Sequence, residues 1–406
     1  MLDTFRPCAV PTLPALLLIT ACATPDDTAV DPFDTAELPR FHLTELTGIG
    51  SDTGAAAPLL NRVTDAEFLS TDEIAIASDE GEILVFGIAG EFHSRMGRQG
   101  EGPGEFRFIQ DIVRLDGSGI LAWDPAQDRV TAFMPDGRLD FTCTPTWALS
   151  KQAGVGFVGA FADGSFVLED RSVRPSEHNT ASGMRSDTIP YLLFDRSGTL
   201  VRTLGQLVRR PRYYDANSGY QRLLFAPSVV SRIVGDELYV GETDSIILER
   251  FDTAGTARGT LRLQRSPRPV TEPDIEAGWR ERAAQIAVAQ QQMLAQTAAT
   301  QGEEAAAAAQ ERIEEALARD RETVEPAEFL PAYKSIIVAS DGAVWLEEYM
   351  HPSEELTRWF LMADDFLPAG WIGLPPNERL LAAGPNKLIV LRKDELDVES
   401  VVLYER

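Results

Sequence analysis

Six acidic side chains stand at the ends of short apolar segments: Asp124, Glu169, Asp170, Glu242, Glu347 and Glu348. Carboxylates that converge from several strands can hold one divalent cation, which activates water or polarises a substrate oxygen. A structural reading competes with this one, because an acidic side chain just past such a strand accepts hydrogen bonds from turn amides. No other constellation is as suggestive. The histidines His42, His93, His178 and His351 show no pair at metal-ligand spacing. Cys143, in the alternating run FTCTPTW, has no nucleophile signature around it and is expected to be a buried, inert thiol. Neither a phosphate-binding Gly-Lys-Ser/Thr loop nor a G-x-S-x-G elbow is present, so nucleotide and serine hydrolysis lose their usual sequence support.

Charge narrows the partners. The chain has 406 residues, 63 acidic against 37 basic, and a formal net charge of -26. Such a surface repels phosphate backbones and anionic headgroups, which argues against nucleic acid and against a basic membrane patch. Residues Cys8 to Ala21 form an apolar run after Arg6, of signal-peptide length and too short to span a bilayer as a helix. The tetrad Ile19-Thr20-Ala21-Cys22 resembles the bacterial lipobox, which implies cleavage before Cys22 and lipidation of its thiol. Ala23 would suit outer-membrane sorting in a diderm host. By that resemblance the protein is exported and membrane-anchored, on the outer membrane or the periplasmic side of the envelope. With Cys8 removed and Cys22 modified, only Cys143 remains, so no intramolecular disulfide is available. The Asp-, Pro- and Thr-rich stretch from Cys22 to Arg40 reads as a flexible tether.

The elements that must position any site come from a repeat. Six times an apolar segment, a turn, a second strand and a third strand with an aromatic follow one another. The second strands are EIAIAS at Glu73, GILAWD at Gly119, SFVLED at Ser165, ELYVGE at Glu237, AVWLEE at Ala343 and KLIVLR at Lys387. Turn residues such as Asp116-Gly117 and Asp341-Gly342 precede them. The third strands carry Phe86, Phe133, Phe194, Phe251, Phe360 and Tyr404, and Gly90, Gly137, Gly198 and Gly255 lie four residues beyond the first four. The interval from Phe251 to Phe360 is nearly twice the others and contains an Ala-, Glu- and Gln-rich insertion at about residues 274–322, helical in composition. The last repeat ends after three strands, whereas FHLTELTGIG at Phe41 is an orphan strand ahead of the first. The orphan can close the ring, so the expected fold is an all-β, six-bladed β-propeller over residues 41–406 with velcro closure and a helical insertion between the fourth and fifth blades.

The run Gly97-Arg98-Gln99-Gly100-Glu101-Gly102-Pro103-Gly104-Glu105-Phe106 matches GR-x-G-x-GPGEF at every fixed place. It resembles the hallmark of a family of bacterial six-bladed propeller lipoproteins related to NHL and TolB-like propellers. The resemblance implies fold and export and brings no settled activity; in NHL-type repeats an Asp after the second strand is a turn acceptor. Physically the run joins the outer strand of blade one to the inner strand of blade two. It reads as a crossover stitched by Arg98 and Glu105, with a backbone nest for an anion as the sharper alternative.

In the insertion, Asp274 can cap the start, Ile275, Trp279, Ile286 and Met293 form a thin apolar stripe, and Gly302 breaks the segment into two antiparallel helices, the second with Ile313 and Leu317. The pair reads as a decorative hairpin, a lid over the channel, a docking element, or, least supported, a self-associating coil. Taken together, these features favour a lipid-anchored cell-envelope module that binds a small ligand or an envelope protein, with no catalytic residue and no cofactor assigned. The alternative is a metal-dependent, lactonase-like hydrolase or lyase that uses the central channel and one divalent cation.

Overall fold

The computed structural model describes residues 31–50, 58–146, 155–170, 183–215, 219–221, 223–263, 265–323, 326–350, 354–363 and 366–406. Cys22, His178 and His351 lie outside the described residues. Six antiparallel sheets follow one another along the chain, and each second strand is short, β-branched or aromatic, and buried on both faces, the pattern of a strand sandwiched between neighbouring sheets.

Blade one runs Val63–Phe68, Glu73–Ser78, Ile83–Gly87 and Phe92–Met96; blade two runs Asp111–Arg114, Ile120–Asp124, Arg129–Phe133 and Leu139–Cys143. Blade four is Val229–Val234, Glu237–Glu242, Ile246–Asp252 and Ala257–Leu263; blade five is Tyr333–Val338, Val344–Glu348, Thr357–Met362 and Pro368–Leu374. Blade three departs from the pattern. After Val155–Ala160 and Phe166–Asp170 come two long strands, Gly183–Phe194 and Leu200–Asp215, and a short fifth, Gly219–Gln221. The two long strands pair from Phe194↔Leu200 out to Gly183↔Tyr214, so a ribbon extends beyond the blade proper.

Blade six is Glu378–Ala383, Lys387–Lys393 and Glu399–Glu405, and its outermost strand is Thr44–Ile49 from the other end of the described chain. Thr44 pairs with Glu405 and Ile49 with Val401. The expected velcro closure is therefore present, and the described chain is a six-bladed β-propeller.

The core is a ring of six apolar clusters, each built from two neighbouring blades. The third-strand aromatics are its bricks: Phe86, Phe194 and Phe360 have no exposed surface, and Phe133 and Phe251 are buried. All four of the glycines that follow the third strands have positive φ, between 76° and 93°, as hairpin turns there demand. Part of the expected tether is ordered. From Pro32 onward the chain packs on blade five: Phe33 is 3% exposed and meets the Phe360 ring edge-on at 4.9 Å, the Phe41 amide donates to the Trp371 carbonyl, and the Trp371 amide donates to the Pro39 carbonyl.

The insertion is a helical hairpin, α1 (Glu272–Gln301) and α2 (Glu303–Thr323), placed between blades four and five as expected. Its start is a capping box in which Thr271 is the cap; the Asp274 carboxylate accepts from the Thr271 amide at 2.8 Å and from its hydroxyl at 2.6 Å. Gly302, at φ 95°, makes the break. Trp279 roots the hairpin in a cluster with Leu224, Phe225 and Leu330.

Candidate functional site: the central channel

In a meander of four strands the inner strand begins, and the outer strand ends, on the same face of the ring. The crossover loops, the ends of the second strands and the root of the hairpin all belong to this face. The inner strands then run inward around a cavity of about 400 Å³. A second cavity of about 210 Å³ continues it toward the opposite face.

One wall of the channel is acidic. Asp65 and Glu67, two residues apart on the inner strand of blade one, face the same side, and Asp111 opens the inner strand of blade two. Asp65 accepts a hydrogen bond from the Ile112 amide at 3.0 Å, which ties the two blades together. Burial in the channel wall and then the neighbouring Asp111 charge push the Asp65 carboxyl up to about 8. Burial pushes Glu67 up to about 7, against the Phe68 amide and the Arg114 charge, which lower it. Arg232, Lys334 and Arg379 line the same cavity from blades four, five and six; Lys334 is paired with Glu347, and Arg379 donates to the Thr64 carbonyl beside Asp65.

Of the six strand-end carboxylates only Glu347 lines this cavity, where it accepts from Lys334 at 2.9 Å and Ser335 at 2.6 Å. Asp124 is wholly buried and works as a turn acceptor, for the Arg107 amide at 2.7 Å, the Ala126 amide at 2.9 Å and the Gln127 side chain at 2.7 Å. Glu348, 1% exposed, is held by Arg265 and by Arg358 at 2.6 Å, and Arg268 is near; Arg268 also donates to the Tyr349 carbonyl, so the cluster braces the strand that leads to α1. Glu169 and Asp170 are buried in blade three, and Glu242 ends its strand in blade four away from the channel lining. Among the described residues no group of three or more His, Cys, Asp or Glu side chains is placed to hold a metal ion.

The glycine-rich run is a crossover whose anion is its own. Arg98 donates to Glu105 at 2.8 Å, and the Gly102 amide donates to the other oxygen of the same carboxylate at 2.8 Å. These bonds hold the Glu105 carboxyl below the usual range. A side chain at Gly100 would collide with that carboxylate. The nest alternative therefore fails on occupancy, since Glu105 fills it. Phe106, with no exposed surface, lies against the Phe133 ring, and Gly97 at φ 73° leaves room for it; a Cβ there would sit 2.6 Å from the ring. Pro103 and Gly104 complete the turn, and Gly104 also has positive φ, 76°. No residue of the run lines the channel.

The remaining candidates are structural. His93 lies on the surface, 2.8 Å from Glu73, and His42 is exposed. Cys143 is buried on the outer strand of blade two, where burial raises its thiol to about 11, a poor nucleophile. Among the described residues, those lining the channel cavity come from the blades and none from α1 or α2.

The acidic wall lies on inner strands, outside the second-strand ends where the sequence gathers its most regular carboxylates. Its signal was nonetheless present: VTDAEF places two carboxylates at alternate positions of a strand whose one face must look into the channel.

The profile of the family DUF5128, described as a 6-bladed beta-propeller, matches residues 59–142, which hold blades one and two. No curated protein matches the chain. Among solved structures, the chain is similar to a Bacteroides fragilis protein described as exported, 11% identical with a TM-score of 0.48, covering 93% of this chain and 97% of that one. It is also similar to a member of the DUF4221 family from Bacteroides vulgatus, 10% identical with a TM-score of 0.48, covering 90% and 97%. Similarity this distant says nothing of activity.

Proposed function

We propose that the protein is an exported, lipid-anchored binding module that takes a small zwitterion, of the size and chemistry of an amino acid, in the channel mouth. The observation that carries this reading is one cavity in which the carboxyl groups of Asp65 and Asp111 are faced from blades four and five by Arg232 and by the Lys334–Glu347 pair. A ligand ammonium satisfies the two neighbouring carboxylates, whose mutual repulsion it relieves, and a ligand carboxylate meets the Arg232 guanidinium on the far side of the cavity. The anchor rests on the lipobox resemblance around Cys22, and the NHL-like or TolB-like kinship rests on the run from Gly97 to Phe106.

Thermal shift of the unit Pro32–Arg406 against free amino acids, with equal concentrations of sodium chloride as control, tests the ligand. A rise in Tm with at least one amino acid, lost in Asp65→Asn, is the expected result. No shift with any of them, and none in the variant, would sink the channel reading. For the anchor, Cys22→Ser in the full-length chain should move the protein out of the membrane fraction; an unchanged distribution would refute it.

A further inference from the structure

Beyond Trp279 the hairpin projects with little to hold it together. From Ala283 through Thr323 no described side chain is buried, and Met293 is 45% exposed. Between the helices lies an unfilled groove of about 630 Å³, whose apolar lining includes Ile286, Met293, Ile313 and Leu317. Gln290 lines it too, and its amide oxygen is out of solvent without a hydrogen-bond partner. A two-helix hairpin in water gains most of its stability from a covered apolar face, and this face is uncovered.

The charge pattern selects the occupant. Charged residues make up 25% of the chain, yet none occurs from Ala283 to Gln301, about 28 Å of helix at 1.5 Å per residue. Charge depletion marks the centre of an interface. A partner recognised by charge would find nothing to pair with here. A second copy of a chain with net charge -26 is repelled almost everywhere else, and this stretch is where two copies can approach without opposing charges. The stretch is also self-complementary. Its polar side chains are Gln and Thr, each both donor and acceptor, so a two-fold axis can pair amide with amide, and its many alanines allow close approach. Among the described residues no helix is long and apolar enough to cross a membrane.

We propose that α1 and α2 form a homodimerisation arm, in which the charge-free halves of two α1 helices pack together and the four helices enclose the two grooves as one bundle.

Analytical ultracentrifugation of the unit Pro32–Arg406 between 1 and 100 µM, as approximate limits set by ordinary interface affinities, reads the outcome directly. The expected result is a dimer that Met293→Glu weakens at least about tenfold, by placing a charge in the covered groove, and that Met293→Leu retains. Replacement of residues 276–321 by a short Gly/Ser linker should give a monomer whose propeller still melts cooperatively, which separates loss of the arm from loss of the fold. A wild-type monomer across the whole range overturns the proposal. So does a dimer that survives both Met293→Glu and the linker replacement. A monomer that sediments with phosphatidylethanolamine vesicles only when the hairpin is present would assign the groove to a lipid surface instead and likewise overturn it.

Discussion

Asp65 holds its proton more tightly than a free carboxylic acid because it is buried in the channel wall and, secondarily, because Asp111 and Glu67 stand beside it. Its folded pKa lies above the unfolded value, so the folded state binds more protons between the two. The stability it contributes is full below the unfolded value of about 4 and is lost as pH rises through about 8. The wild-type Tm should therefore fall between pH 6 and 8.5, and Asp65→Asn should flatten that fall; an equally steep fall in the variant would place its origin elsewhere. Ligand affinity should run the other way, rising with pH as Asp65 gives up its proton to receive an ammonium. Gly97 makes a second prediction at this scale. Alanine there must adopt φ 73° and press its Cβ on the Phe106 ring, so Gly97→Ala should cost about 2 kcal/mol or more in urea unfolding. At single positions the sequence was readable where local chemistry decides the role, as with Arg98 and Glu105 or the turn acceptor Asp124. It was unreadable where the role depends on which blade stands opposite: Arg232 and Asp111 face one cavity only because the ring closes.

At the level of elements, Trp279 is the joint between propeller and arm, 6% exposed among Leu224, Phe225 and Leu330. Trp279→Ala should remove about 3 kcal/mol of local packing and raise amide exchange selectively over the first turns of α1, with the blade amides unchanged. Uniform loss of protection would show instead that the cluster supports the whole fold. The six second strands, the hairpin and its break at Gly302 were legible because periodicity and turn residues are local signals. Two features were not. The segment after Pro32 has tether-like composition, and only the apolar cluster around Phe360 explains why Phe33 is buried. The two long strands of blade three, Gly183–Phe194 and Leu200–Asp215, outrun an ordinary blade, and nothing in their composition separates the ribbon from the blade it extends.

Over the whole molecule, stability is distributed around six equivalent seams, and the seam at blade six is the one made of two distant pieces of chain. Deletion of residues 31–50 should expose the edge of Glu399–Glu405 and broaden the thermal transition, read by calorimetry, with a fall of several degrees in Tm expected for a lost strand. A transition as sharp as that of the intact unit would mean that closure adds nothing. The same seam imposes an order in time. Thr44 waits for Glu405, so this strand leaves the ribosome well before the partner that covers it has been made. Five blades can assemble during synthesis, but the ring stays unsealed until Glu399–Glu405 has been made, and loop closure over that separation is slow. A chain cut short before Glu399–Glu405 would present two open edges, and proteolysis would discriminate it from a sealed ring by that defect alone.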